Sequence, residues 1–185
     1  MRGLFKDRLF NKHYSKLLSD KKNKTQSSFV NTISSITLLA KAKDHTYLEL
    51  ERAPKYFRDL GMSCDLYIIV DKNDEIKSIP GMKTIDRQEC MWYEVPSQEI
   101  IIKWLSNKTD LLIVSNPQGL LMKYLCAASN SKLKASTPGK GFRPEDLDID
   151  FWVEPKASDD VTLSAQCRLT YEMLAKLGIR PPVIG

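Results

Sequence analysis

Asp110–Ser115 reads DLLIVS, and residues 116–129 after it read NPQGLLMKYLCAAS. The first stretch is a continuous apolar run held between two polar residues, the pattern of a strand buried on both faces, as strands of a parallel sheet are. In the second, Asn116 reads as a helix cap with Pro117 at the first helical position, where a missing N–H costs nothing. Leu120, Leu121, Tyr124, Leu125 and Ala128 then supply the apolar stripe of a helix running to about Ser129. Lys132–Ala135 reads as a further short strand. A strand, a helix and a strand in this order make a crossover unit, and parallel strands need such crossovers.

Working outward, two more continuous apolar runs appear, Ile33–Ala40 (ISSITLLA) and Asp65–Val70 (DLYIIV). Residues 46–60 between them read as a helix with Leu48, Tyr56, Phe57 and Leu60 inward, kinked or restarted at Pro54 and stopped by a left-handed Gly61. Residues 71–94 offer short strands near 83–86 and 90–93. Ser97 caps a helix through Ser106 that buries Ile100, Ile101, Trp104 and Leu105. Leu147, Ile149, Phe151 and Val153 alternate with Asp148, Asp150 and Trp152, the period of a half-exposed strand. A last helix over 159–177 places Val161, Leu169, Leu174 and Leu177 inward and ends at Gly178. The expected fold class is α/β: a single open, mostly parallel Rossmann-like sheet with helices on both faces.

Charge is not spread evenly over this scaffold. Residues 1–24 carry Arg2, Lys6, Arg8, Lys12, Lys16, Lys21, Lys22 and Lys24 against Asp7 and Asp20, a surplus of six positive charges, whereas the whole chain is +5. The rest of the chain therefore sums to −1. Residues 2–20 read as a helix with Phe10, Tyr14, Leu17 and Leu18 on one face, Leu9 and His13 on its shoulder, and Arg8, Lys12 and Lys16 opposite. The helix either docks on an anionic surface or packs its apolar face on the body of this protein or a second copy, with its lysines solvated. The expected organisation is a basic amphipathic helical arm (1–24), a linker (25–30) and a Rossmann-like domain (31–185).

At 185 residues the chain is long enough to bury a core without disulfides or metal. Cys64, Cys90, Cys126 and Cys167 form no C-x-x-C pair and read as free thiols of a reducing compartment. No run of 18 apolar residues occurs, and the start has no apolar h-region. The expected location is the cytoplasm, peripheral to the inner membrane if lipid is the partner.

Candidate chemistry is sparse. Open α/β sheets bind ligands at the carboxyl ends of their strands. Three strand-end segments follow from that: Lys41-Ala42-Lys43-Asp44-His45, the helix start at Asn116, and the loop Thr137–Arg143 with Lys140 and Arg143. His45, Asn116, Lys140 and Arg143 are thus a candidate ligand cleft. Their ordinary readings are a solvated histidine, a helix cap and a surface turn. Neither G-x-G-x-x-G nor G-x-x-x-x-G-K-[ST] is present. Asp146, Asp148 and Asp150 share one face of an extended strand, a spacing that suits a divalent metal and equally a polar strand face. No cofactor, metal or catalytic residue is expected. Trp92, Trp104 and Trp152 read as core or interface.

The basic arm 1–24, the strand at Ile33–Leu39, Thr109–Asn116 (TDLLIVSN), Met122–Ala135 (MKYLCAASNSKLKA) and Leu147–Phe151 together resemble a family of small Bacteroidota proteins. These begin with a Lys-rich helix and continue into a Rossmann-like body. That resemblance implies a fold and lends no catalytic residues. The unit at 110–135 is also similar to the N-terminal half of heptosyltransferase-like enzymes, in which the donor sugar nucleotide binds chiefly to a second domain.

The function these features support is a non-enzymatic Rossmann-like adaptor. It docks through Arg8, Lys12, Lys16, Lys21, Lys22 and Lys24 onto an anionic partner, either RNA or a ribonucleoprotein, or a membrane surface. The alternative is a small enzyme or a nucleotide or sugar-nucleotide binder working at the carboxyl ends of the strands.

Overall fold

The strand β1 (Ser35–Lys41) turns Ile36, Leu38 and Ala40 to one side and Leu39 to the other. The strand β4 (Leu111–Val114) divides in the same way, Leu111 and Ile113 against Leu112 and Val114. Both sides of both strands are buried, so two hydrophobic layers have to be covered. A computed structural model describes residues 2–22, 30–75, 77–136, 148–153, 162–180 and 182. Among the described residues α2 (Tyr47–Asp59) and α5 (Leu163–Lys176) cover the Ile36 side, through Leu50, Phe57, Leu163 and Leu174. The other side is covered by α1 (Arg2–Lys22), α3 (Gln98–Ser106) and α4 (Leu120–Ala128), through Phe10, Trp104, Tyr124 and Leu125.

The remaining strands among the described residues are β2 (Ser63–Val70), β3 (Met82–Asp86), β5 (Leu133–Ser136) and β6 (Phe151–Trp152). The six run parallel in the order β3-β2-β1-β4-β5-β6. The chain winds outward from β1 to β3, then returns to lay β4 against the other side of β1, with Leu39 beside Val114. This is the Rossmann strand order, and it creates a topological switch point between the carboxyl ends of β1 and β4. The protein is an α/β protein with one open parallel sheet and helices on both faces.

Several local expectations are corrected. Asn116 is not a helix cap. It is left-handed (φ 46°), and the helix starts at Leu120 behind Gly119 (φ 94°). Asn and Gly both tolerate positive φ, so NPQG turns before it can coil. In α2 the side chain of Thr46 and that of Glu49 form a capping box that fixes the start at Tyr47. The buried stripe is then Leu50, Ala53, Pro54 and Phe57, and Leu48 is exposed. The helix continues through Pro54. No strand forms at 90–93, where Glu94 is left-handed (φ 63°) and the chain folds into a turn closed by the Met91 amide on the Val95 carbonyl. The half-exposed strand reduces to Phe151–Trp152 among the described residues. Gly61 and Gly178 end α2 and α5 as expected (φ 80° and 79°). The four cysteines are free, three of them buried.

The basic helix does not stand off the body. Phe10 is fully buried and Tyr14 nearly so. Phe10 stacks on Tyr14 and meets Tyr124 of α4 edge-on, and Lys123 lies over the Tyr14 ring. The apolar face seen in the sequence is one wall of the core, and it sets which way the charges of α1 point.

Candidate functional site

At the switch point the loop after β1 faces the loop after β4, and side chains join them. Ser115 Oγ lies 2.9 Å from Nε2 of His45. Asn116 donates from Nδ2 to Oδ2 of Asp44 at 2.7 Å. Lys41 Nζ donates to the Gln118 carbonyl. His45 and Asn116, expected at one cleft, are therefore brought to the same seam, where they bond to the protein itself. Lys140 and Arg143 lie outside the described residues.

A charge cluster sits beside this seam. Glu94 is buried and accepts from Lys6 at 2.6 Å and from Arg87, while its second oxygen receives the Leu121 amide at 3.3 Å. Leu121 is in the first turn of α4, where amide N–H groups lack helical partners. Glu94 thus supplies the anion that a Rossmann helix N-terminus otherwise takes from a ligand phosphate. Burial pushes its carboxyl up, but the Lys6 and Arg87 bonds outweigh that and leave it below its ordinary value. Arg87 also holds Asp71 at 3.0 Å, and Lys43 reaches Asp71 at 3.4 Å. The Arg87 hydrogen bond keeps the Asp71 carboxyl below its ordinary value.

The hollow these groups line, with Lys41 and Gly119 on its wall, measures about 40 Å³. Small-molecule sites are typically about 300–1,000 Å³. This one has room for a few waters. A larger hollow of about 290 Å³ lies on the outer side of His45, beside Tyr47 and Asp74. Another, of about 340 Å³, lies between β3 and α3, where Lys83 is paired with Asp65 and Lys103 with Glu99. Asp148 receives Lys134 Nζ and Asp150 receives the Lys134 amide, so both serve a strand contact, while Asp146 lies outside the described residues.

His45 is the one group here with acid–base capacity near neutrality. Burial lowers its pKa, against the pull of Glu49 and Asp44, which favours the neutral ring, whose Nε2 accepts from or donates to Ser115 according to the tautomer.

The predicted docking residues divide. Arg8, Lys12 and Lys16 are exposed on the outward face of α1 and make no ion pair among the described residues. Lys21 leaves that face. It turns inward and donates to the Ser129 carbonyl. Burial first, then repulsion from Lys134, lowers its pKa to about 8. The Lys22 side chain and Lys24 lie outside the described residues.

Sequence reasoning missed Lys6, Arg87 and Glu94, because charges far apart in the chain carry no local signal of pairing. It also missed an exposed aromatic patch. Phe5 stacks on Trp92 (centroids 6.1 Å apart, planes within 8°), Trp92 meets Tyr93 edge-on, and Tyr93 stacks on His13. The available signal was Met91-Trp92-Tyr93, three large side chains in succession, of which a short strand at 90–93 could turn only alternate ones inward.

Glu94→Gln tests the clamp. The amide keeps the shape, discards the charge, and leaves Lys6 without its counter-ion and Arg87 with Asp71 alone. The expected cost is about 2 kcal/mol, read as a lower urea midpoint.

The sequence profile of a family of unknown function, DUF6913, matches residues 6–157, and the chain belongs to that family. The matched span takes in most of α1. No curated protein and no solved structure matches the chain.

Proposed function

We propose that this member of the DUF6913 family is a non-enzymatic Rossmann-like adaptor that docks on an anionic partner through the outward face of α1. One observation carries the reading. Phe10 and Tyr14 fix α1 to the core, and that fixing holds Arg8, Lys12 and Lys16 in an exposed row at successive turns with no acid paired to them among the described residues. Three cations held by a rigid helix keep their spacing without the entropy loss of ordering a floppy tail. The switch point supports the same reading from the other side, since Glu94 occupies the α4 N-terminus and the adjoining seam is bridged by side chains. No helix among the described residues is long and apolar enough to cross a membrane, and a cytoplasmic location is part of the proposal.

The test is a charge-matched comparison. Arg8→Gln/Lys12→Gln/Lys16→Gln and Lys55→Gln/Lys108→Gln/Lys176→Gln remove the same net charge from exposed positions. Retention on a heparin matrix is expected to fall for the first variant well beyond the second, with a wild-type affinity that drops as salt rises. Equal retention of the two variants defeats the reading.

One observation favours an enzyme instead, the Ser115–His45 pair at the carboxyl end of β4. A hydroxyl hydrogen-bonded to a neutral imidazole is a nucleophile with its base. Ser115 is buried, however, and the adjoining first-turn amide of Leu121 is engaged by Glu94. A dose-dependent rise in Tm with a nucleotide or sugar nucleotide, lost in Ser115→Ala, is the result that favours this second reading.

A further inference from the structure

Of the eight large apolar side chains exposed among the described residues, four gather on one surface, while Tyr47, Leu48, Ile102 and Leu177 lie apart from it. Leu4 (80 % exposed), Phe5 (57 %), Met91 (51 %) and Trp92 (59 %) come from the first turns of α1 and from the turn at 91–95, and Phe5 stacks on Trp92 across the gap. The Lys6–Glu94 ion pair ties the same two segments together beneath them. Phe5 is one helical turn from Arg8 and two from Lys12, so the patch continues directly into the cationic row. Large exposed apolar clusters on folded proteins mark contact surfaces.

We propose that this surface seats on an anionic lipid bilayer. Leu4, Phe5, Met91 and Trp92 enter the interfacial layer, and Arg8, Lys12 and Lys16 lie against the headgroups. The proposal rests on the docking face argued above and names its partner. Charge complementarity selects an anionic partner, and the composition of the patch selects lipid among anionic partners. Leu4 and Met91 have no π face for a nucleic-acid base to stack on, and the facing sides of Phe5 and Trp92 are taken by each other. Hydrocarbon needs no π face, and Trp beside basic residues is the composition of interfacial segments. A second copy of this chain on the same face, related by a two-fold axis, would set Arg8, Lys12 and Lys16 against their own like charges.

The experiment uses the full chain with vesicles of phosphatidylcholine alone and of phosphatidylcholine mixed with phosphatidylglycerol, the latter also with acyl-brominated lipid. The expected result is co-sedimentation with the anionic vesicles only and quenching of tryptophan emission by the brominated chains. Trp92→Phe removes the quenched part, because Trp104 is buried in the core and Trp152, on β6, is partly buried against the same core layer. Arg8→Gln/Lys12→Gln/Lys16→Gln is expected to weaken vesicle binding by roughly a hundredfold, at a few-fold for each cation near the surface. Leu4→Ser/Phe5→Ser/Met91→Ser keeps every cation and is expected to weaken it by about tenfold or more.

Vesicle binding without Trp92 quenching, or unchanged in the apolar variant, overturns insertion and leaves the docking face standing. Salt-dependent binding to single-stranded poly(U) RNA that depends on the three cations, with none to anionic vesicles, overturns lipid as the partner and again leaves the docking face. Binding to neither surface overturns both proposals. Quenching in the unaltered chain and its loss in the single variant Trp92→Phe decide the matter even if the triple variants fold poorly.

Discussion

Phe10→Ala is expected to cost about 3–5 kcal/mol of stability, the toll of cutting a fully buried phenyl ring down to a methyl group. The ring sits between Tyr14 of its own helix and Tyr124 of α4, and it belongs to the same layer as Leu112, Val114 and Leu125. Domains of this kind hold about 5–15 kcal/mol in all, so the loss is a large share of the total. It is read as a fall in urea midpoint with little change in slope. Phe5→Ala, five residues earlier on the exposed side of the same helix, is expected to stay within about 0.5 kcal/mol. The contrast separates two descriptions of α1. A detachable basic arm predicts that neither change moves the midpoint. A helix that forms one wall of the core predicts the split. The same argument warns against deleting residues 1–24 to probe docking: the deletion uncovers Tyr124 and Leu125 along with removing the charges. Surface substitutions at Arg8, Lys12 and Lys16 probe docking without touching the core.

How far the sequence reveals this molecule depends on whether the relevant signal is local. The runs ISSITLLA, DLYIIV and DLLIVS announce buried parallel strands because both faces of such a strand need apolar side chains, a fact visible within a few residues. Ser97, Gly61 and Gly178 mark helix ends for equally local reasons. The errors arise where a distant partner decides the outcome. Asn116 is a good cap by type, but Asp44 takes its amide and its left-handed backbone delays the helix to Leu120. Leu48 falls on a plausible apolar stripe, yet the Thr46–Glu49 box sets a phase in which it faces solvent.

The candidate site divides along the same line. The exposed row Arg8, Lys12, Lys16 is a periodicity and can be read directly. Lys21 fits the composition of that row but falls on the buried side, near Lys134 and Ser129. The Glu94 clamp joins α1, the segment after β3 and the start of α4, three places separated by most of the chain. The lesson for the switch point is chemical. A strand order that usually opens a ligand crevice here encloses an internal carboxylate, so topology alone does not specify a binding site.

Asp110 carries the second large effect, and it lies at the opposite end of the sheet from that crevice. Its Oδ2 accepts from the backbone amides of Ser34 and Ser35 at 2.9 and 3.1 Å and from their hydroxyls at 2.9 and 3.0 Å. Its Oδ1 accepts from Lys132 Nζ at 2.7 Å. One carboxylate thus fastens the entries of β1, β4 and β5. Asp110→Ala leaves the part-buried amides of Ser34 and Ser35 and the half-exposed Lys132 without their acceptor in one step, and about 3 kcal/mol is the expected loss. Asp110→Asn keeps the size but trades one acceptor oxygen for a donor, so a smaller loss of about 2 kcal/mol is expected. The pH dependence follows from the same contacts. Burial raises the Asp110 carboxyl, but the Lys132 and serine bonds outweigh it and hold it far below its ordinary value of 3.8. A carboxyl depressed in the folded state contributes fully above its unfolded value, and that contribution is lost as pH falls below it, because the unfolded chain then takes up the proton first. The wild-type urea midpoint is therefore expected to drop steeply below about pH 4, and that of Asp110→Asn to drop less over the same range. Parallel curves for the two proteins over that range would place the acid sensitivity elsewhere and remove Asp110 as the fastening point of the central strands.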